Sequence, residues 1–234
     1  MRDPLPGAVG VSRLTVYDTA AADTLRGGTP HVHLCCTEAY VVTAGSGQAQ
    51  TLSTQDGYEE HDLRPGVVLW FTPGTIHRLV NDGGLELTVL MANTGLPEAG
   101  DAVLTFPADI VSDPARYAEA AALPLGGAPG ADVTAAYRRR DLAVQGFHEL
   151  RDSGGLDEFH AAAAALKRPL LTDWRARWRR GALAAAERTG AQIAALADGD
   201  LTHLKDSRVS AKANPDESGR LGMCGYLDTY STLD

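Results

Sequence analysis

Up to residue 106 the chain is built of short runs in which apolar and polar residues alternate: RLTVYD, HVHLCC, AYVVTA, GQAQTLST, GVVLWFT, IHRLVN, LELTVLMAN and AVLTF. A period of two is that of a strand with one face buried. Turn chemistry separates the runs, as GSG at 45–47, QDGY at 55–58, RPG at 64–66 and NDGG at 81–84. Many short strands joined by such turns predict a β-sandwich or barrel.

After residue 107 the period lengthens to that of a helix. SDPARYAEAAAL offers Asp113 as N-cap and Pro114 at the first helical position. Val133, Tyr137, Leu142, Phe147 and Leu150 recur near helical spacing, and Gly154-Gly155 ends that run. LDEFHAAAAALKR predicts a helix up to Pro169, and the segment from Leu171 onward reads as one long helix or as two broken near Gly181. ALPLGGAPGAD, at 122–132, is the most linker-like stretch. The chain therefore divides into a β region, 1–106, and an α-helical extension, 107–234, packed on the barrel or at a subunit interface. Leu171, Trp174 and Trp178 would serve as buried anchors there, in a homodimer if the interface is between copies. The closing stretch GRLGMCGYLDTYSTLD is apolar and aromatic for a tail, and its Met223, Tyr226 and Tyr230 suit a lid over the barrel mouth.

Composition narrows the function. Hydrophobic residues are 44% and charged residues 22%, as in a globular domain, and the formal net charge is −9. Residues 1–106 hold 5 Lys/Arg against 12 Asp/Glu, and the remainder 16 against 18, so the β half is the acidic one. Such a surface argues against a nucleic-acid partner and suits a divalent cation. Neither a secretory leader nor a bilayer-length apolar run is evident, so no membrane partner is expected. Three cysteines, two of them adjacent, do not make a disulfide framework, and the expected compartment is the cytoplasm.

Candidate chemistry lies with the histidines. There are 7 in the chain, and three fall in PHVHLCCTE and FTPGTIHRLVN. On a strand, His31 and His33 project from one face, as would Cys35 if the strand continued. Glu38 is an odd number of positions from His33 and joins that face only if the chain turns through LCCT. His77 begins a strand after a turn. Tyr40 shares the parity of Glu38 and should face the interior, where it could hydrogen-bond a substrate; Arg78 should point out of the cavity, and Glu59, Glu60 and His61 into solvent. Three imidazoles and a carboxylate make a good site for one divalent transition metal, Fe, Mn, Ni, Zn or Cu, with two positions left open on an octahedral ion.

These residues resemble both signature motifs of the cupin superfamily. His31, His33, Glu38 and Gly45 fit the first, although Leu25 stands where its leading glycine belongs, with Gly27 and Gly28 nearby. Gly66, Gly74, His77 and Asn81 fit the second, with its proline moved one place, to Pro73. The resemblance covers roughly residues 10–106. It implies a single double-stranded β-helix (jelly-roll) barrel, a mainly β fold followed by the helical region, with His31, His33, Glu38 and His77 as metal ligands and Glu38 and Tyr40 as catalytic candidates. It also implies a small-molecule substrate. Three functions are expected in order: a dioxygenase-type oxidoreductase acting on an enediol, enolate or aromatic compound; a sugar isomerase or epimerase; a non-catalytic binder of metal or small ligand.

Overall fold

In a computed structural model, which describes residues 5–230, nine antiparallel strands form one sheet, seven of them before residue 107 and two after residue 216. They are β1 (Gly10–Val16), β2 (His31–His33), β3 (Glu38–Ser53), β4 (Gly57–Leu63), β5 (Val68–Phe71), β6 (Ile76–Met91), β7 (Ala102–Leu104), β8 (Glu217–Leu221) and β9 (Gly225–Tyr230). The two long strands, β3 and β6, pair with each other along their length and bend where their register shifts between Val42 and Gly47. That bend divides the sheet into two layers. The first half of β3 pairs with β5 and the last part of β6, and beyond β6 lie β1, β9 and β8 in turn. The second half of β3 pairs with β4 and the first part of β6, and β6 is followed by β2 and β7. Between the layers lies an apolar filling that includes Leu14, Val16, Val42, Leu79, Leu85 and Leu87.

Helices follow β7: α1 (Ala108–Val111), α2 (Pro114–Ala121), α3 (Val133–Ser153), α4 (Leu156–Lys167), α5 (Leu171–Trp178), α6 (Ala184–Ala197) and α7 (Thr202–Lys205). Asp113 caps α2 through the amides of Ala115 and Arg116, and Gly154 ends α3 in the left-handed region, as its sequence position predicts. Near Gly181 the chain neither breaks nor stays regular. A single π turn, Arg179–Leu183, carries α5 into α6. Val32, Ile76 and Val103 on the outer face of the β2 layer meet Phe147, Phe159 and Ala163 of α3 and α4 in a second core. Each fully buried large side chain there contributes about 1.5–3 kcal/mol.

The extension expected over 107–234 is not helical to its end. β8 and β9 form a hairpin, and β9 pairs with β1 from Val11↔Tyr230 to Val16↔Gly225. Met223, Tyr226 and Tyr230, expected in a lid, thus belong to a hairpin built into the sheet; residues 231–234 of that stretch lie outside the described residues. Trp174 is buried against Cys36 and Leu96 of the barrel, whereas Trp178 and Leu171 remain exposed.

Two contacts fix the helices to the barrel at close range. A Cβ on Gly146 would stand 2.1 Å from the carbonyl oxygen of Thr105, so α3 touches the chain after β7 with its backbone. A Gly→Ala change inside a helix usually stabilises by about 0.5–1 kcal/mol. Here the same change should destabilise by roughly 1–3 kcal/mol, because the added methyl has no room. Denaturant titration of Gly146→Ala decides the sign, and a gain in midpoint would refute the close packing. The other contact is electrostatic. Arg78 faces away from the barrel interior, as its parity predicts, yet it is fully buried under the helices and forms a two-pronged bond with Asp23. His148 of α3 lies 3.4 Å from the same carboxylate. Close by, Arg140 of α3 donates to the carbonyls of Thr19, Ala20 and Gly27.

Candidate metal centre

β2 is only three residues long, and its alternation puts His31 and His33 on the inner face with Val32 turned to the helices. His31 pairs directly with His77 at the start of β6. After His33 the chain leaves the sheet, turns through residues 34–37 and re-enters it as β3, so Glu38 gains the inner face despite its odd spacing. The strand's early end also decides the cysteines. Cys35, expected to point inward, is exposed, and Cys36 is buried instead, because the turn cancels the strand parity. All three thiols are free.

The second motif's turn is closed by the Thr75 amide donating to the Thr72 carbonyl, with Gly74 at φ +90°. At the other end, Leu25 in the place of a glycine is harmless. The close approach that excludes a side chain occurs at Gly27, where a Cβ would lie 2.1 Å from the carbonyl oxygen of Leu79.

One ligand atom from each of His31, His33, Glu38 and His77 lies within 4.8 Å of the others, and all four residues are buried. Each imidazole is oriented through its Nδ1. His31 meets the Thr29 carbonyl at 2.8 Å and His77 the Thr75 carbonyl at 3.1 Å. His33 meets Asp101 Oδ1 at 2.7 Å. A carbonyl oxygen only accepts, so Nδ1 of His31 and of His77 carries a proton, and in the neutral ring Nε2 holds a lone pair. Those two Nε2 atoms stand 3.0 Å apart. Two lone pairs at that distance repel unless a proton or a metal ion lies between them. Glu38 Oε2 is buried without a hydrogen-bond partner, 3.1 Å from His77 Nε2 and 3.4 Å from His33 Nε2. Donors at right angles about a first-row ion, each roughly 2.1 Å from it, lie about 3.0 Å apart. The four side chains therefore fit a divalent metal, which would satisfy the orphaned oxygen and remove the lone-pair conflict together.

The electrostatics agree. Burial, reinforced by His77 and His33, pushes His31 well below the usual imidazole range, so its nitrogen stays free to bind at neutral pH. Burial also works against a charge on His33, but Asp101 and Glu38 outweigh it and hold that imidazole above its usual value. Burial would raise Glu38; His77 and His33 reverse this and keep it ionised. Tyr40 is fully inside the barrel, as its parity predicts, and its phenol feels the charge of Glu38. Burial and that carboxylate drive its phenol well upward, so it remains a donor.

Other residues around the centre had not been singled out from the sequence. Phe71 lies against His77, ring centroids 4.2 Å apart. It faces Glu38 across the β3–β5 pairing, a position the alternation in VVLWF could have indicated. Asp101 carries no such signal, since its bond to His33 spans 68 residues and obeys no spacing rule. His61, expected in solvent, is only partly exposed, and its Nε2 lies 3.0 Å from Thr51 Oγ1, on the residue that pairs with His77. The β8–β9 hairpin supports His31 from behind: Thr29, which orients that ring, donates its amide to Met223, and Cys224 fills the space beside Gly28.

No curated protein matches the chain. Among solved structures, an 11S globulin from Wrightia tinctoria with an auxin-binding site is similar at 20% identity and a TM-score of 0.31, over 36% of this chain and 20% of its own. The nucleoside dehydratase Pac13 of Streptomyces is similar at 16% identity and 0.29, over 38% and 62%. A Klebsiella pneumoniae protein with a double-stranded β-helix domain is similar at 16% identity and 0.30, over 39% and 75%. The chain spans less than two thirds of the first two. The cupin family model matches residues 20–108, which hold β2 to β7 and all four clustered side chains. Residues 20–108 thus match the cupin family, and the sheet they form is extended by β1 before that segment and by the β8–β9 hairpin after it.

Proposed function

We propose that the protein is a metal-dependent cupin enzyme of small-molecule metabolism, of dioxygenase type, acting on an enediol, enolate or aromatic compound. The observation that carries this reading is the convergence of three imidazole nitrogens and one carboxylate oxygen on a single buried point. An ion held there by His31, His33, Glu38 and His77 would supply Lewis acidity and a template for substrate oxygens.

The chain's own residues supply the rest. Asp101, Thr29 and Thr75 lock the three rings, so the donor atoms need no rearrangement to bind. Phe71 and the apolar barrel filling keep water from one side of the centre and favour a flat, apolar substrate. Glu38, ionised and close to Tyr40, is the group able to accept a substrate proton, and Tyr40 can then donate to the oxygen left behind. A phosphorylated sugar fits less well. Arg13, Arg26 and Arg78 are engaged by Asp228, Asp18 and Asp23, and residues 1–106 contain no lysine.

Elemental analysis of freshly purified protein, with oxygen-uptake screening against enediols and catechols, tests the proposal. Iron, nickel or manganese with uptake supports it, whereas metal-dependent sugar interconversion without uptake replaces it with the isomerase reading. Metal at a hundred times its Kd should also stabilise the fold by about 2.7 kcal/mol. For a chain of this size that is a rise in Tm of roughly 5–11 °C, reversed by a chelator. A melting curve indifferent to every first-row ion would dispose of the metal centre.

A further inference from the structure

We infer that the helical region is a positioning device for the metal centre, acting on His33 from two directions through His160 of α4 and Trp174 of α5. This rests on the metal reading above and adds a role for the extension. From one direction, His160 Nε2 donates to the carbonyl of Gly74 at 2.9 Å, while the amide of Gly74 donates to the carbonyl of His33 at 2.9 Å. Gly74 lies in the turn that leads into His77, so one helix side chain holds a link between two ligand-bearing segments.

From the other direction, Trp174 Nε1 donates to the carbonyl of Ala99 at 3.1 Å. Ala99 is two residues before Asp101, whose carboxylate fixes His33 Nδ1 at 2.7 Å. Between the two contacts, Lys167 at the end of α4 brings its Nζ beside Gly100 and acts electrostatically on Asp101. The ring of Trp174 is buried and its N–H bond partly so, which reduces competition from water. His33 is thereby held at its carbonyl through α4 and at its ring through α5. Neither helix contributes a ligand.

Residues that act through a ligand's partner alter affinity without removing a donor atom, and direct partners of ligands typically matter by about 10–100-fold. His160 and Trp174 stand one contact further out. His160→Ala and Trp174→Phe should each weaken cobalt(II) binding roughly 3- to 10-fold, below that range. The measurements are competition against a chromophoric chelator and the visible spectrum of the cobalt-loaded protein, whose bands should shift if His33 moves. His160→Gln, which retains a side-chain N–H, should recover most of the affinity. In metal-free protein, the His33 Nδ1–H proton resonance should shift or exchange faster in Trp174→Phe. Affinity and spectrum within error of wild type in both variants, with that resonance unchanged, would overturn the inference. If the wild-type protein takes no metal, the metal reading fails by itself and the His33 resonance still decides whether the helices position the ring.

Discussion

His33→Ala is expected to leave purified protein without its metal while the barrel stays folded. The centre holds one carboxylate and three imidazoles, so the variant loses a quarter of its donor atoms. It also takes from the buried Asp101 carboxylate its imidazole partner, leaving the longer contact from the Cys35 amide. Affinity should fall by more than the roughly 10–100-fold that follows from disturbing a ligand's partner. The fold should tolerate the change because the apolar filling of the barrel and the core under the helices are built from other side chains. Asp101→Asn makes a graded comparison: the ring stays, its charged partner is lost, and the fall should lie within the 10–100-fold range. Metal-to-protein stoichiometry after gel filtration, with far-ultraviolet circular dichroism as a check on folding, reads both. Metal retained at full stoichiometry in folded His33→Ala would mean that the four side chains are not the ligand set.

Arg78→Met should cost up to about 3–5 kcal/mol, since it leaves the half-buried Asp23 carboxylate with only the Leu25 amide and His148 nearby. At this chain length that is a Tm lower by roughly 6–20 °C. Replacing both partners, as Arg78→Met with Asp23→Leu, should recover most of the loss, because the penalty comes from the unpaired charge. The pair also sets an acid dependence. Burial tends to raise the Asp23 carboxyl, but the bonds from Arg78 outweigh it and hold the group below the usual carboxylate range. A depressed value means stabilisation that is present above the unfolded pKa, about 3.9, and lost as pH falls through the folded one. Wild-type stability should therefore decline below about pH 4, and Asp23→Asn should flatten that part of the profile. Equal acid midpoints in the two proteins would argue that the pair does not fasten the helices to the barrel.

Much of the barrel was legible in the sequence, because its strands alternate and its turns are marked by glycine and proline. The ligand side chains were legible for the same reason: His31 and His33 share a face by parity, and the LCCT turn brings in Glu38. The helix caps at Asp113 and Gly154 were also readable, since capping is local chemistry. What escaped were contacts without a local rule. Asp101 and His160 meet the site through bonds that depend on how distant segments come together. Cys35 would share the face of His31 and His33 only on a continuing strand, and β2 ends at His33 instead. The hairpin of β8 and β9 was missed because it is short and contains glycines at 219, 222 and 225. Its alternation in GYLDTY was outweighed by an apolar, aromatic character that suggested a cover.

That hairpin has a consequence for biosynthesis. A ribosome makes β1 early and β9 late, with every helix in between, yet the two strands are neighbours in the finished sheet. Until the last strand emerges, β1 has an open edge, and Thr29 lacks the Met223 carbonyl that anchors the strut behind His31. Loading of the ion should accordingly be among the final events in maturation, and nascent chains stalled before residue 217 should be the ones that call on chaperones.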